Sequence, residues 1–332
     1  MDSSFGQLAE FCNKEETIII TDSNVARLYA PLFEGYKAAI TIPAGENNKS
    51  LNSIISLTSQ LIVKQAHRKT TIVGVGGGMV TDLTGFFASI YMRGVRFGFV
   101  PTTLLGMVDA AIGGKNGVNV GLQKNLLGTI QQPSFILYDY NFLHTLPNNE
   151  WSNGFAEVIK YGCLFDEQMF TSLSKHDLRH YRNDPQSLAK LVDTCIGYKN
   201  QIVLDDEQEQ GKRKLLNFGH TAGHAFETIC RIPHGHGVAL GMIVACIVSE
   251  YVVGLHSSVK NKLAALLLRY QLPITLEFDP EKVIEVLRMD KKRNEDSIDY
   301  VMLNNLGNPV VKAIPFNVIR EALNTFCHAS RV

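Results

Sequence analysis

The sequence has no excess of either charge. Its 32 Lys and Arg residues balance 32 Asp and Glu residues, so the formal net charge is zero. That excludes a global field that would gather nucleic acid or an anionic membrane; an anionic small molecule would need a local group of Lys and Arg. Cysteine is sparse and scattered. Cys12, Cys163, Cys195, Cys230, Cys246 and Cys327 form no Cys-x-x-Cys pair. Buried free thiols in a reducing compartment are expected, rather than a disulfide framework or a thiolate metal site. The opening stretch MDSSFGQLAEFCNKEE lacks the apolar core of a signal peptide. No apolar run reads as long enough to span a bilayer. Internal repeats, low-complexity tracts and long linkers are also missing. A cytoplasmic protein with no membrane or nucleic-acid partner is the expectation. What is present is ordinary for a globular chain: 332 residues, 45% hydrophobic and 19% charged, enough for two domains.

The first half alternates short β-rich runs with helical patterns. ETIIITD, AAITIPA, TTIVGVGGG, RFGFVPTT and SFILYDY read as strands. Their apolar residues are continuous rather than alternating, as in strands buried on both faces. Helical segments such as SLNSIISLTSQLIVKQA lie between them, the pattern of a parallel sheet with helices on both sides. After Leu146-Pro147 the stretches EWSNGFAEVIKYGCLF, SLAKLVDTCIGYKNQIVL, GVALGMIVACIVSEYVVGL, VKNKLAALLLRYQL and PEKVIEVLRM all carry helical periodicity. An α/β domain over residues 1–148 and a mostly helical domain over 149–332 are expected, with the site in the cleft between them.

TIVGVGGGMVTDLTGF places Gly74, Gly76, Gly77 and Gly78 at the end of a strand, with Asp82 at the start of a helix. Glycines there let backbone N–H groups approach a pyrophosphate, and a helix N-terminus favours an anion. The spacing is not the usual G-x-G-x-x-G, and a tight strand-to-helix turn reads equally well. Asp82 is equally a helix cap. Asp22 and Asn24 end an earlier strand, where a ribose or adenine contact is plausible; Glu46 and Lys49 follow the next. Plain turn chemistry accounts for each pair too.

YMRGVRFGFVPTTLLGMVDAAIGGKNGVNVGLQKN sets Arg93, Thr102, Thr103, Asp109, Lys115, Lys124 and Asn125 among small and apolar residues. Charges in such company need partners, because unpaired charge is costly away from water. A phosphorylated or carboxylated ligand would supply them, as would ion pairs within the protein such as Asp109 with Lys115. NGFAEVIKYG sets Glu157 and Lys160 on one turn of a helix whose apolar flanks suggest burial, and a buried Glu needs a cation or a metal. In LLNFGHTAGHAFE, His220 and His224 share a helix face. Asn217, one turn before, is expected on the same face, and Glu227 follows one turn after His224. Two imidazoles so placed can bind a metal, or can be ordinary residues at a helix contact.

Read along the chain, GENNKS, GVGGGMVTDLTGFFAS, YMRG, PTTLLGMVDAAIGGKNGVN, KNLLGTI, FLHTLP, NGFAEVIKYG, LLNFGHTAGHAFE, PHGHGVALGM and MDKK follow in one order. Together they resemble the 3-dehydroquinate synthases, of the sugar-phosphate cyclase group, over nearly the whole chain. The resemblance implies a Rossmann-like dinucleotide-binding N-terminal domain with a parallel sheet and a helical C-terminal domain. It implies Zn²⁺, with Co²⁺ also accepted, on Glu157, His220 and His234. It implies NAD on Asp22, Asn24, Glu46, Lys49, Gly76, Gly77, Gly78, Asp82, Thr102, Thr103, Lys115, Lys124, Phe142 and Thr145. Substrate contacts are implied for Arg93, Asp109, Lys115, Asn125, Lys160, Lys199, Arg213, Asn217, His224 and Lys291, or its neighbour Lys292. His224 then becomes a substrate-contacting group rather than a second ligand.

The implied reaction converts 3-deoxy-D-arabino-heptulosonate 7-phosphate to 3-dehydroquinate and phosphate. Its steps are metal-assisted oxidation with NAD, β-elimination of phosphate, re-reduction, ring opening and aldol closure. A homodimer is implied as well. One departure stands out: His236 occupies a position where the family usually has Glu, so it competes with His234 for the metal or takes a supporting place beside it. The chain is also somewhat short in its N-terminal region. Another sugar-phosphate cyclase is the nearest rival, and a related metal-dependent polyol or alcohol dehydrogenase the next.

Overall fold

A computed structural model describes residues 4–121, 123–289 and 296–329. Two compact units emerge. The first takes the chain up to Glu150 together with Ala189–Asn200; the second takes Trp151–Leu188 and the chain from Gln201 onward.

The first unit is built on four parallel strands, β1 (Thr17–Asp22), β2 (Ala38–Ile42), β3 (Thr71–Gly76) and β4 (Phe97–Pro101), in the order β2-β1-β3-β4. Every residue of β1 and β3 is buried, which is why their sequences read as unbroken apolar runs. Alternate side chains divide between the two faces. Ile18, Ile20, Ile72, Phe97 and Phe99 join one core cluster; Ile19, Val73, Val75 and Val100 join another. On the first face α3 (Leu51–Val63) and α4 (Gly78–Ile90) supply Leu57, Leu61, Leu83 and Phe87. Burying each such side chain contributes about 1.5–3 kcal/mol. The second face is covered by Leu8 of α1 (Leu8–Phe11), Val25 of α2 (Ser23–Tyr29), Phe5 and Phe142. The chain runs outward from β1 to β2, then returns past β1 to form β3. The strand order therefore switches between β1 and β3, where α/β sheets bind ligands beyond the carboxyl ends of their strands.

SFILYDY is not a fifth strand. It touches β4 through one bridge, Phe99 to Ile136, with Phe99 N donating to Phe135 O at 3.1 Å and Leu137 N to Phe99 O at 2.9 Å. Asp139 then turns the chain away: it caps a 3₁₀ helix (Tyr140–Thr145) and accepts from Phe5 N at 2.8 Å. The polar stretch after β4 contains an antiparallel hairpin that periodicity did not signal, β5 (Lys115–Val120) with β6 (Gln123–Ile130).

The second unit is mostly helical: α5 (Asn148–Phe165), α6 (Glu167–Leu173), α7 (Leu178–Asn183), the ends of α8 (Pro185–Asp205), α9 (His220–Cys230), α10 (His234–Val253), α11 (Ser257–Arg269), α12 (Pro280–Leu287) and α13 (Phe316–Ala329). A hairpin, β7 (Ser297–Asn305) with β8 (Asn308–Pro315), interrupts the helices. The expectation of no membrane-length apolar run needs correction. Helix α10 has 20 residues at a mean hydropathy of 1.8, long and apolar enough to cross a bilayer. In the structure 72% of that apolar window is buried, so it serves as the central core helix of its unit.

Candidate active site

In the first unit β3 ends at Gly76, Gly77 takes the N-cap position and Gly78 opens α4. No side chain caps this helix, and its first-turn N–H groups with the helix dipole suit an anion. A Cβ on Gly76 would stand 2.5 Å from Val80 Cγ2, so the turn admits no side chain there. Thr102 N donates to Gly76 O at 2.9 Å, and Thr103 Oγ1 accepts from Gly106 N at 3.0 Å. A Cβ on Gly77 would stand 3.0 Å from Thr103 Cγ2, so both threonines border the glycine turn. Asp22 is a helix cap: its Oδ1 accepts from Asn24 N at 2.8 Å and Val25 N at 3.1 Å. Asp82, by contrast, lies inside α4 and does not cap it.

Asp82 belongs to a polar cluster centred on the buried Lys49. The Lys49 ammonium lies 2.5 Å from Asp82 Oδ2 and 2.5 Å from Asn125 Oδ1. Burial raises the Asp82 carboxyl above its ordinary range, against the pull of Lys49. Asn119, which had no assigned role, ties the cluster together. Its Nδ2 donates to Glu46 Oε1 at 2.9 Å, its Oδ1 accepts from Asn125 N at 2.9 Å, and its own N–H donates to Lys49 O at 2.8 Å. Asp109 sits on a single π-helical turn (Gly106–Ala110), a form that often marks functional positions. Lys199 of α8 donates to its Oδ1 at 2.6 Å and to its main-chain oxygen at 2.5 Å. Phe142 packs edge-on to Tyr29, with centroids 4.7 Å apart, and the Tyr29 hydroxyl lies 2.7 Å from Thr145 Oγ1.

Arg93 and Lys115 are each placed by the element that carries them. Exposed Arg93 follows the far end of α4, about 20 Å from the glycine turn at 1.5 Å per residue. Lys115 pairs with Ile130 at one end of the hairpin, whereas Lys124 and Asn125 lie towards the other.

In the second unit Glu157 and Lys160 lie one turn apart on α5, both buried. The Lys160 ammonium is ion-paired with Glu157 Oε2. Glu157 Oε1 faces His220 Nε2 at 3.4 Å and His234 Nε2 at 3.3 Å. Among the described residues, neither carboxylate oxygen has a hydrogen bond of ordinary geometry, although both are fully buried. The Nδ1 atoms of the two imidazoles are engaged elsewhere. His220 Nδ1 lies 3.2 Å from Phe218 O, and His234 Nδ1 lies 3.0 Å from Glu227 Oε1. Acceptors at Nδ1 call for the Nδ1–H tautomer, which turns an Nε2 lone pair toward Glu157. One ligand atom from each of Glu157, His220 and His234 lies within 4.8 Å of the others. One carboxylate and two imidazoles around a buried, poorly satisfied oxygen fit a divalent transition ion such as Zn²⁺. Burial lowers the His234 pKa, but the charges of Glu227 and Glu157 outweigh it and push the value up to about 10. Without metal, a proton offsets that negative charge. His224, Glu227 and His234 form a second such group; His236 belongs to neither among the described residues.

The local backbone corrects one reading of this stretch. Asn217 does not share the helix of His220 and His224. It ends a 3₁₀ helix (Lys212–Asn217), and α9 begins only at His220. Gly219 makes the break at φ +79°, where a Cβ would meet Met242 Cγ at 2.6 Å and Val238 O at 2.7 Å. Asn217 Nδ2 donates instead to Glu209 Oε1 at 2.7 Å. Glu209 (φ +59°) is a second residue whose place beside the site the sequence did not signal. Buried Arg213 donates from Nη1 to Glu207 O at 2.6 Å. Its N–H, with those of Gln210 and Gly211, donates to the Asp206 carboxylate, holding that acid below its ordinary range. Lys291 and Lys292 lie outside the described residues.

The fold has close solved counterparts. The structure of 2-deoxy-scyllo-inosose synthase complexed with carbaglucose-6-phosphate, NAD+ and Co2+ matches with a TM-score of 0.86 at 25% identity, covering 97% of this chain and 94% of that one. That of 2-epi-5-epi-valiolone synthase from Streptomyces hygroscopicus subsp. jinggangensis, with NAD+ and Zn2+ bound, matches at 0.88 and 24%, covering 97% and 93%. The architecture is that of the sugar-phosphate cyclases. Within that class, residues 39–153 match the family model for the 3-dehydroquinate synthase N-terminal region and residues 154–293 that for the C-terminal region. The 3-dehydroquinate synthase of Saccharolobus solfataricus is 41% identical over 289 residues, 85% of this chain and 82% of that protein. That of Pyrococcus furiosus is 34% identical over 331 residues, 97% and 96% respectively. The chain belongs to the 3-dehydroquinate synthase family.

Proposed function

We propose that this enzyme converts 3-deoxy-D-arabino-heptulosonate 7-phosphate to 3-dehydroquinate with release of phosphate, using NAD and Zn²⁺, or Co²⁺ in its place. The observation that carries the reading is the Glu157–His220–His234 donor group, in a chain matched along both regions by one family. When bound, the metal would supply Lewis acidity toward a substrate hydroxyl and NAD would supply reversible hydride acceptance. The protein's own part is binding and charge. Glu157, His220 and His234 would hold the metal, and Lys160 is ion-paired with the buried Glu157. The glycine turn, Gly76 to Gly78, would take the dinucleotide pyrophosphate on backbone N–H groups. Asp22, Asn24, Glu46, Lys49, Asp82, Thr102, Thr103, Lys115, Lys124, Phe142 and Thr145 would bind the rest of the cofactor.

Arg93, Asp109, Lys115, Asn125, Lys160, Lys199, Arg213, Asn217, His224 and Lys291 would bind a substrate that carries both a phosphate and a carboxylate. The basic members explain how a chain of zero net charge can hold such an anion. Assembly as a homodimer and a cytoplasmic setting are part of the same proposal.

The deciding assay follows phosphate release with NAD⁺ and Zn²⁺, identifies the carbocycle by NMR, and is repeated after chelation. Metal-dependent formation of dehydroquinate is expected, and His220→Ala should lose both metal and turnover. Turnover of sedoheptulose 7-phosphate or glucose 6-phosphate instead would assign the chain to a sister cyclase activity.

A further inference from the structure

We propose that Glu227 is a positioning residue for the metal ligand His234, fixing its ring and enriching its Nε2 through a carboxylate hydrogen bond at Nδ1. The proposal rests on the metal site described above. Glu227 is 4% exposed and follows His220 by two turns of α9. A carboxylate so deeply buried needs a positive or donating partner. Its Oε1 lies 3.0 Å from His234 Nδ1, while the other edge of the same ring points Nε2 at Glu157 Oε1, 3.3 Å away. The imidazole is therefore held between two acids, and only the Nε2 side is shared with His220.

The two imidazole ligands are not equivalent. His220 Nδ1 is held by the neutral carbonyl of Phe218, His234 Nδ1 by a carboxylate. A charged acceptor makes roughly twice as strong a hydrogen bond, and it leaves the opposite nitrogen the better donor to a cation. The packing reserves space for this arrangement. Gly237, three residues after His234 on α10, would with a Cβ stand 2.6 Å from Glu227 Cγ and 2.8 Å from Gly223 O. Its bare backbone gives the acidic side chain the room to reach the ring. The Nδ1 side of His234 is thus engaged by Glu227, from α9 rather than from the ligand's own helix.

The test is Zn²⁺ affinity, measured by competition with a chromophoric chelator, for the wild-type protein and for Glu227→Ala, Glu227→Gln and Glu157→Gln. One ion per chain is expected. Glu227→Ala should bind it about 10- to 100-fold more weakly. Glu227→Gln keeps an acceptor but loses the charge, and should fall between. Long-range ¹H–¹⁵N NMR of the zinc-loaded protein should show His234 as the Nδ1–H tautomer with a slowly exchanging proton, lost in Glu227→Ala. Circular dichroism checks the fold; if the alanine variant does not fold, the glutamine variant carries the comparison. Wild-type affinity in both Glu227 variants, with affinity lost in Glu157→Gln, would overturn the positioning role alone. Wild-type affinity in Glu157→Gln would instead overturn the metal site. A second ion bound by the wild type and lost with Glu227 would make Glu227 a ligand, against the proposal.

Discussion

The ammonium of Lys199 is locked onto Asp109, donating to its carboxylate at 2.6 Å and to its main-chain oxygen at 2.5 Å. The two residues lie 90 apart in sequence. One contact fixes the side chain and the other the π-helical turn that carries it. Lys199→Met should therefore act twice. Losing the cation beside a largely buried acid should destabilise the protein by about 2 kcal/mol. The KM for the phosphorylated substrate should also rise, while bound Zn²⁺ is retained. Asp109→Asn combined with Lys199→Met should cost less than the sum of the two changes, since the pair is coupled. Thermal melts, elemental analysis and steady-state kinetics read these effects. Metal loss in Lys199→Met would contradict the separation of roles, as it would for Arg213→Met.

The metal-free protein should lose stability as pH rises. Burial lowers the His234 pKa, but Glu227 and Glu157 raise it further, from 6.5 to about 10. Below pH 6.5 the folded and unfolded states both carry the proton, and the stabilisation is fully present. Between 6.5 and about 10 only the folded state keeps it, so stability falls as pH rises. Melts of chelator-treated protein from pH 6 to 9.5 should show the decline, and His234→Asn should flatten it. Zinc must displace this proton, so its affinity should climb over the same interval. A pH-independent affinity would contradict the arrangement.

Gly219 should not tolerate a side chain. Its φ of +79° is strained for alanine, and the added Cβ would lie 2.6 Å from Met242 Cγ and 2.7 Å from Val238 O. Gly219→Ala should cost about 2 kcal/mol or more. It should also weaken zinc binding, because the same turn starts the helix that carries His220. Chemical denaturation and metal titration of one preparation would show both; an unchanged denaturation midpoint would count against the clash.

Asn119 is expected to matter for cofactor binding although it drew no notice in the sequence. Its side chain links Glu46 to the backbone of Asn125, and its N–H holds Lys49 O. Asn119→Ala leaves the last bond in place and removes the other two. About 1 kcal/mol per hydrogen bond predicts a roughly fivefold to thirtyfold rise in the NAD dissociation constant, with the fold intact. Calorimetric titration with NAD⁺ checks it; wild-type affinity would confine Asn119 to loop packing.

The order and type of the main elements were legible because they depend on near neighbours. TIIITD and TIVGVG read as buried parallel strands since every residue except the terminal Asp22 is apolar, small or hydroxylated, and each lies inside the first unit. The glycine turn and the spacing of His220 and His224 were legible for the same reason. The resemblance to a family then pointed to Glu157 and His234. Tertiary structure decided what local patterns could not. SFILYDY looks like β1, yet it meets the sheet through one bridge, and its Asp139 accepts from Phe5 N, 134 residues away. α10 is apolar enough for a bilayer and is instead the core of a helical unit. Asn217 is separated from the histidine helix by Gly219, whose left-handed turn packs so closely on Met242 and Val238 that it has no room for a Cβ. Lys49 meets Asn125 across 76 residues, and Glu227 reaches a histidine on the next helix. Periodicity records which way a side chain points along its own element. Which charge it meets is set by how the elements pack, and in this protein the chemistry lies in those meetings.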